Sequence, residues 1–430
     1  MNEFKIAGLK MPIYITLCAI IILTSYLGVM PTGMVGAFLF LIVFGELLNL
    51  LGNKLPIIKT YLGGGAIVSI FGGAAIVYFK LFPTEVLDNV STFMKDGGFL
   101  DFYISALITG SILGMNRKLL IKAAIRYLPC IISSVVFAII FVAIGSLIVG
   151  IKYEESVAYI AIPIMGGGMG AGAVPIATVF ESALGIAKET ILARLVPAVA
   201  LGNAMAIVAG GLLNRLGKVK PILTGNGQLV ISDDDSLKSE KKEAAVLKKP
   251  SDYMSGIAVA TGFFAFGALV SLIIGKLGLN IHTYAWMIIS VAVVKVTGLF
   301  EGKVEEVCEA WYNFVAKNFT AALMLGIGMA YTNLSDIIDA FTISYFVLVL
   351  FVVFGAILGA AIMGRIVGFY PIEAAITAGL CMANMGGTGD VAVLQASDRM
   401  ELMPFAQISS RLGGAFIILL ASFLVPIFFG

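Results

Sequence analysis

Two ten-residue stretches, GGGMGAGAVP (166–175) and MGGTGDVAVL (385–394), carry most of the chemistry this chain can do. Their glycines let a ligand approach backbone N–H and C=O groups closely and permit positive φ. A turn that runs into a helix start presents N–H groups and a positive dipole end, which suits a carboxylate. Carbonyls left free of helix suit a small cation such as Na⁺. Around the second stretch, Asn384, Thr388 and Asp390 add hard oxygen donors for that cation. Asp390 has two further readings, a carrier of a transported proton or a cap on the helix that follows. Arg411, in QISSRLGGAF, has a planar fork able to hold a carboxylate by two parallel hydrogen bonds. Its competing readings are an internal ion pair with Asp390 or Glu373, or a reach to the membrane surface. Arg194 is its counterpart after the first stretch, but it precedes Val196-Pro197 and ranks lower; Glu46 reads as structural.

These stretches sit in a chain of 430 residues that is 60% hydrophobic and 13% charged, with a mean hydropathy of +1.02. Such a composition excludes a soluble globular protein and defines a polytopic membrane protein. The cysteines (Cys18, Cys130, Cys308, Cys381) are scattered and His282 is the single histidine, so no metal site beyond Na⁺, no cofactor and no nucleic-acid partner are expected. A GxGxxA match from Gly168 to Ala173 lacks a soluble βαβ setting and is set aside. The apolar run after the basic N-terminal flank is too long for a signal peptide and reads as the first span.

Apolar runs predict about eleven transmembrane helices, near 11–30, 34–51, 61–80, 100–115, 127–150, 190–213, 254–275, 283–300, 319–333, 341–364 and 405–428. Lys and Arg collect at the N-terminus and around 52–60, 116–126, 214–252 and 301–318, which places the N-terminus and the long middle loop in the cytoplasm. Counting spans from there leaves 157–189 entering and leaving on the outer side, and 365–404 on the inner side. Both read as re-entrant hairpins. Laid together without gaps, the two glycine stretches agree at five of ten positions, and each precedes a span with an Arg-Leu pair, Arg194-Leu195 and Arg411-Leu412.

The expectation is an all-α protein with an inverted-topology repeat of five helices plus one re-entrant hairpin, after one extra N-terminal helix. Its divisions are 1–33 for the extra helix, 34–213 for the first repeat, 214–252 for a charged cytoplasmic linker and 253–430 for the second repeat. The C-terminus then lies outside. Backbone that leaves the helix at membrane depth survives only where protein or a polar cavity covers it, since each bare group costs several kcal/mol, roughly, in lipid. Close packing of small residues is the competing explanation for either loop taken alone.

Together, FGEL with KLP and YLGG (44–64), PIMGGGMGAGAVP (163–175), AWM (285–287), PIEAAITAGLCMANMGGTGD (371–390) and AQISSRLGG (406–414) resemble the 2-hydroxycarboxylate transporter family, bacterial carriers of citrate, malate and related anions. The resemblance covers nearly the whole chain. It implies a secondary transporter of the bacterial inner membrane, not an enzyme, that moves its substrate with Na⁺ or H⁺ or by exchange. It further implies a homodimer and an elevator-like transport domain. Substrate carboxylates are expected at both loop tips, at Gly168, Met169, Gly170, Met385, Gly387 and Thr388, and at Ser410 and Arg411 of the last helix. Thr388 stands where similar citrate carriers have Ser. Met169 and Met385 stand where the family's sodium-citrate carriers have Asn and Arg, a departure that favours malate or a broader citrate/malate range. A membrane subunit of an ion-pumping decarboxylase is the alternative, because it too combines glycine-rich loops with intramembrane Asp.

Overall fold

The computed structural model describes residues 5–56, 58, 64–114, 117–168, 172–186, 188–231, 250–277, 283–300, 302–332, 334 and 342–429. Apart from a two-stranded N-terminal ribbon, β1 (Lys5–Ile6) and β2 (Leu9–Lys10), the described elements are helical. Helices α1 (Met11–Tyr26), α2 (Met34–Lys54), α3 (Gly65–Tyr78), α4 (Thr84–Met94), α5 (Phe99–Gly114) and α6 (Arg117–Val149) precede the first glycine stretch. The first hairpin comprises α7 (153–165), whose middle winds as a π-helix over Val157–Ala161, and α8 (Val174–Leu184). Then follow α9 (Lys188–Val219), α10 (Pro250–Gly275), α11 (Thr283–Thr297), α12 (Lys303–Tyr331) and α13 (Ile343–Val367). The second hairpin repeats the local design. Its entering limb α14 (371–380) is π-wound over Ala375–Leu380, and its leaving limb is α15 (Gly387–Ser397). Helix α16 (403–429) closes the chain and is π-wound over Ser409–Gly413.

Among the described residues, seven helical segments are long and apolar enough to cross a membrane: Met34–Lys54, Thr84–Gly114, Arg126–Val149, Pro197–Val219, Asp252–Gly275, Lys303–Tyr331 and Ile343–Val367. The hairpin limbs are a different class of element. At 1.5 Å per residue, the 11 residues of α15 reach about 16 Å, half of a hydrocarbon core about 30 Å thick.

Several boundaries differ from the sequence reading: α6 starts at Arg117 rather than near 127, and α4 was not among the expected spans. Helix α12 starts at Lys303 rather than near 319, because its charged first half is amphipathic: Val307, Cys308 and Trp311 are buried while Lys303 and Glu306 stay exposed, and Glu305 meets Lys295 at 2.8 Å, with Lys295 also donating to the Leu113 carbonyl at 2.7 Å. Helix α9 runs to Val219, and a 3₁₀ turn at Pro221–Leu223 follows it.

Packing falls into two groups. One gathers α2, α3, α4, α5 and α10 around α12, with α11 against α10 and α5. Trp311 of α12 stacks with Phe314 and meets Phe102 and Tyr253 edge-on, and the Tyr103 hydroxyl bonds to Thr320 at 2.5 Å. The other group gathers α6, α9, α13, α16 and both hairpins. There α6 and α13 are drawn close by small residues, and Ser133 and Ser134 of α6 donate to the Gly359 and Ala356 carbonyls at 2.9 and 3.2 Å. The groups touch where α15 meets α3 and α12, and where the start of α16 meets α5 and α11.

Candidate functional site

The two glycine turns meet. Gly167 and Gly168 have φ of 80° and 109°, and Gly386, at the start of α15, has φ of 78°, values that glycine adopts without the strain a side chain would bring. A methyl group on Gly168 would strike the Met385 carbonyl oxygen, and one on Gly386 would lie 2.5 Å from the Gly167 carbonyl oxygen. A methyl on Gly414 of α16 would lie 2.7 Å from the Gly166 carbonyl oxygen. Three lengths of bare main chain, from both hairpins and the last helix, therefore converge where no side chain fits between them. Met169 and Gly170 lie outside the described residues.

Beside this junction lies the fully buried carboxylate of Asp390, in the first turn of α15. Oδ1 accepts from Asn384 Nδ2 at 3.0 Å, while Oδ2 accepts from Gln407 Nε2 at 2.9 Å and from the Ser410 hydroxyl at 2.6 Å. A carboxylate withdrawn from water demands such donors, and the positive end of α15 adds to them. The other end of each amide matters too. Asn384 Oδ1 accepts the Gly386 N–H at 2.7 Å, which holds the turn's shape. Gln407 Oε1 is buried with no hydrogen-bond partner among the described residues, an oxygen beside a carboxylate with a lone pair to offer a cation. From the first half of the chain, Asn203 of α9 reaches across, its Oδ1 accepting the Met385 N–H at 3.2 Å.

The predicted residues divide accordingly. The structure brings together Gly168, Met385, Gly387, Asn384, Asp390 and Ser410, although the Ser410 hydroxyl, expected on substrate, is directed at Asp390. The side chains of Thr388 and Arg411 lie outside the described set, while their backbones sit in the first turn of α15 and the π-wound part of α16. Glu373 lies elsewhere, its carboxylate bonded to Arg399, Thr224 and a glycine loop. Arg194 is exposed, with its guanidinium 3.6 Å from the centre of the Tyr159 ring, a cation–π contact on the entering limb of the first hairpin. Glu46 is half-buried on α2.

Gln407 and Asn203 went unremarked in the sequence. Their signal was present: each is an uncharged amide within an apolar helix, a type of residue that membrane segments carry only where it finds partners. Gln407 stands one helical turn before Ser410 and Arg411.

Long apolar helices thus pack around two shorter hairpins whose glycine turns offer bare main chain beside a buried carboxylate. The 2-hydroxycarboxylate transporter family model matches residues 6–423, and the chain belongs to that family. It is a secondary transporter of the 2-hydroxycarboxylate class and not an enzyme, which sets aside the decarboxylase-subunit alternative. Relatives include the citrate/sodium symporter of Salmonella typhimurium, 37% identical over 98% of this chain and 94% of that protein. The malate transporter MleP of Lactococcus lactis is 38% identical over 100% and 99% of the two chains. The citrate transporter CitP of Leuconostoc mesenteroides is 36% identical over 99% and 94%.

Proposed function

We propose that the chain carries malate, and citrate with it, across the bacterial inner membrane, and that the substrate carboxylates bind where the two hairpin turns and the opening of α16 converge. That convergence of bare main chain on one point is the observation that carries the reading. The amides of the turns at 166–172 and 385–389, with Ser410 and Arg411, grip the carboxylates. Met169 and Met385 withhold the polar anchors that a third carboxylate needs. A cation, Na⁺ or H⁺, sits at Asp390 among Asn384, Thr388 and the Gln407 oxygen, and its binding makes up the donor set that α15 needs beside an anion.

The hairpins are re-entrant from opposite faces, in keeping with their half-length limbs and shared π-winding. The two packed groups of helices support an elevator, in which α6, α9, α13, α16 and the hairpins slide against the group around α12. The carrier works as a homodimer with its N-terminus in the cytoplasm and its C-terminus outside. Counterflow in proteoliposomes of the purified chain tests the reading, with labelled malate challenged by a panel of carboxylates under imposed Na⁺ and pH gradients. Malate and citrate should exchange and succinate should not; failure of both 2-hydroxy acids to exchange contradicts it.

A further inference from the structure

Away from the glycine junction, a second polar cluster is built at the base of the second hairpin. Glu373 stands in the first turn of α14, where the chain enters the hairpin, and Arg399 stands two residues beyond α15, where it leaves. Both are buried, Glu373 completely and Arg399 at 5% exposure. Arg399 Nε meets Glu373 Oε1 at 3.1 Å, so one ion pair ties the two limbs together.

Most of the remaining partners come from the segment that follows α9. The Thr224 hydroxyl donates to Glu373 Oε1 at 2.6 Å, and the Gly225 and Gly227 N–H groups donate to its Oε2 and Oε1 at 2.9 and 3.2 Å. Arg399 Nη2 donates to Thr224 Oγ1 at 3.1 Å and to Asn226 Oδ1 at 3.4 Å, and Nη1 to the Asp398 carbonyl at 2.8 Å. Main-chain pairing extends the attachment. Tyr370 N–H donates to the Leu229 carbonyl at 2.9 Å, and Ile231 N–H donates to the Gly368 carbonyl at 2.8 Å. The residues that follow α9 are thus not a slack connection. They cross the base of the second hairpin and are held there by a buried carboxylate with four donors.

Removing one partner of a buried, hydrogen-bonded ion pair leaves the other charge unpaired and is strongly destabilising. Opening this base would strand Glu373 and Arg399 together. A gate that parts the two limbs is therefore a poor use of this hairpin, and a fixed one is a good use. We infer that residues 221–231 form a strap that locks the limbs of the second hairpin, with Thr224, Glu373 and Arg399 as positioning residues, so that the hairpin travels as one piece and its turn keeps its alignment with the first. This inference rests on the carrier reading but not on the identity of its substrate.

The test uses the full chain in proteoliposomes with its four native cysteines replaced, and cysteines placed at two exposed positions, one on the strap and one beyond α15, Ile222→Cys and Glu401→Cys. Glu373→Gln in this background should lower malate uptake at least tenfold. A flexible bismaleimide joining the two cysteines should then restore at least half of the lost rate, and should leave uptake by the pair with native Glu373 unchanged. Rescue by a covalent strap is an effect that a mere folding defect would not produce. Loss of uptake on cross-linking the native-Glu373 pair would show that the strap must open, and would overturn the inference, as would undiminished uptake in Glu373→Gln. Should Glu373→Gln fail to fold, Thr224→Val carries the same comparison, because it removes one donor and leaves the ion pair. A parallel chain with native Glu373 that transports citrate but not malate would correct the substrate and leave the strap standing.

Discussion

The Ser410 hydroxyl donates a 2.6 Å hydrogen bond to Asp390, and this contact joins the second hairpin to the last helix one residue before Arg411. It couples a carboxylate suited to a cation with the segment suited to an anion. Under the proposed assignment, a cation bound at Asp390 changes the donor set on the anion side, and the reverse.

Loss of that contact should be read in cation dependence. A hydrogen bond to a charged group contributes about 1.5–3 kcal/mol, which is about 10–100-fold in affinity. Ser410→Ala leaves the carboxylate one donor short, so Asp390 should take up its cation more readily, and the Na⁺ or H⁺ concentration giving half-maximal malate uptake should fall by about tenfold or more. Asp390→Asn should abolish the response of uptake to that cation. Initial rates across a Na⁺ series at two pH values check both variants, and an unaltered cation response in Asp390→Asn removes Asp390 from the coupling site.

The turn contact predicts a sharp positional effect among glycines. Gly168→Ala combines a left-handed φ of 109° with a clash against main chain, so the turns must part and uptake should fall to background. Gly262→Ala, where a methyl meets nothing within 4 Å, should transport normally. Equal activities in the two variants, at matched protein in the membrane, would mean that the turns need not touch.

Asn203 offers a test of communication between the halves. Asn203→Ala leaves the Met385 N–H without its partner and frees the second turn to shift. Malate KM should rise about tenfold, in line with an unmade buried hydrogen bond worth about 1–3 kcal/mol, while the amount of folded protein in the membrane holds. A normal KM in transport assays counts against this role.

Much of this arrangement was legible from residues alone, for a reason that is physical. Five glycines in the ten residues of GGGMGAGAVP and three in the first five of MGGTGDVAVL ill serve a membrane helix and so declared their turns, and Asp390 declared itself as a costly charge at depth. Gln407 and Asn203 stayed hidden because amides carry no charge and short polar interruptions scarcely alter an apolar run. The helical first half of α12 stayed hidden because its charges resemble a loop until Lys295 is seen beside Glu305. The strap at 221–231 stayed hidden for the same reason: the charged residues around it average to a linker, whereas its own contacts are made largely by main chain.

Selectivity should follow the two methionines. Met385→Arg should raise the preference for citrate over malate by at least tenfold, since a guanidinium beside the turn amides supplies the anchor for a third carboxylate. Competition of unlabelled citrate against labelled malate reads the ratio directly, and an unchanged ratio moves the selectivity filter away from this position.

The most direct test of the account asks whether a 2-hydroxycarboxylate occupies the junction of the two turns. In the chain freed of native cysteines and carrying Met385→Cys, the rate of alkylation by a small maleimide is measured with and without substrate. Malate together with the coupling cation should slow alkylation at least tenfold, and succinate should not. Alkylation that proceeds at the same rate with saturating malate would place the substrate elsewhere and contradict the site proposed here.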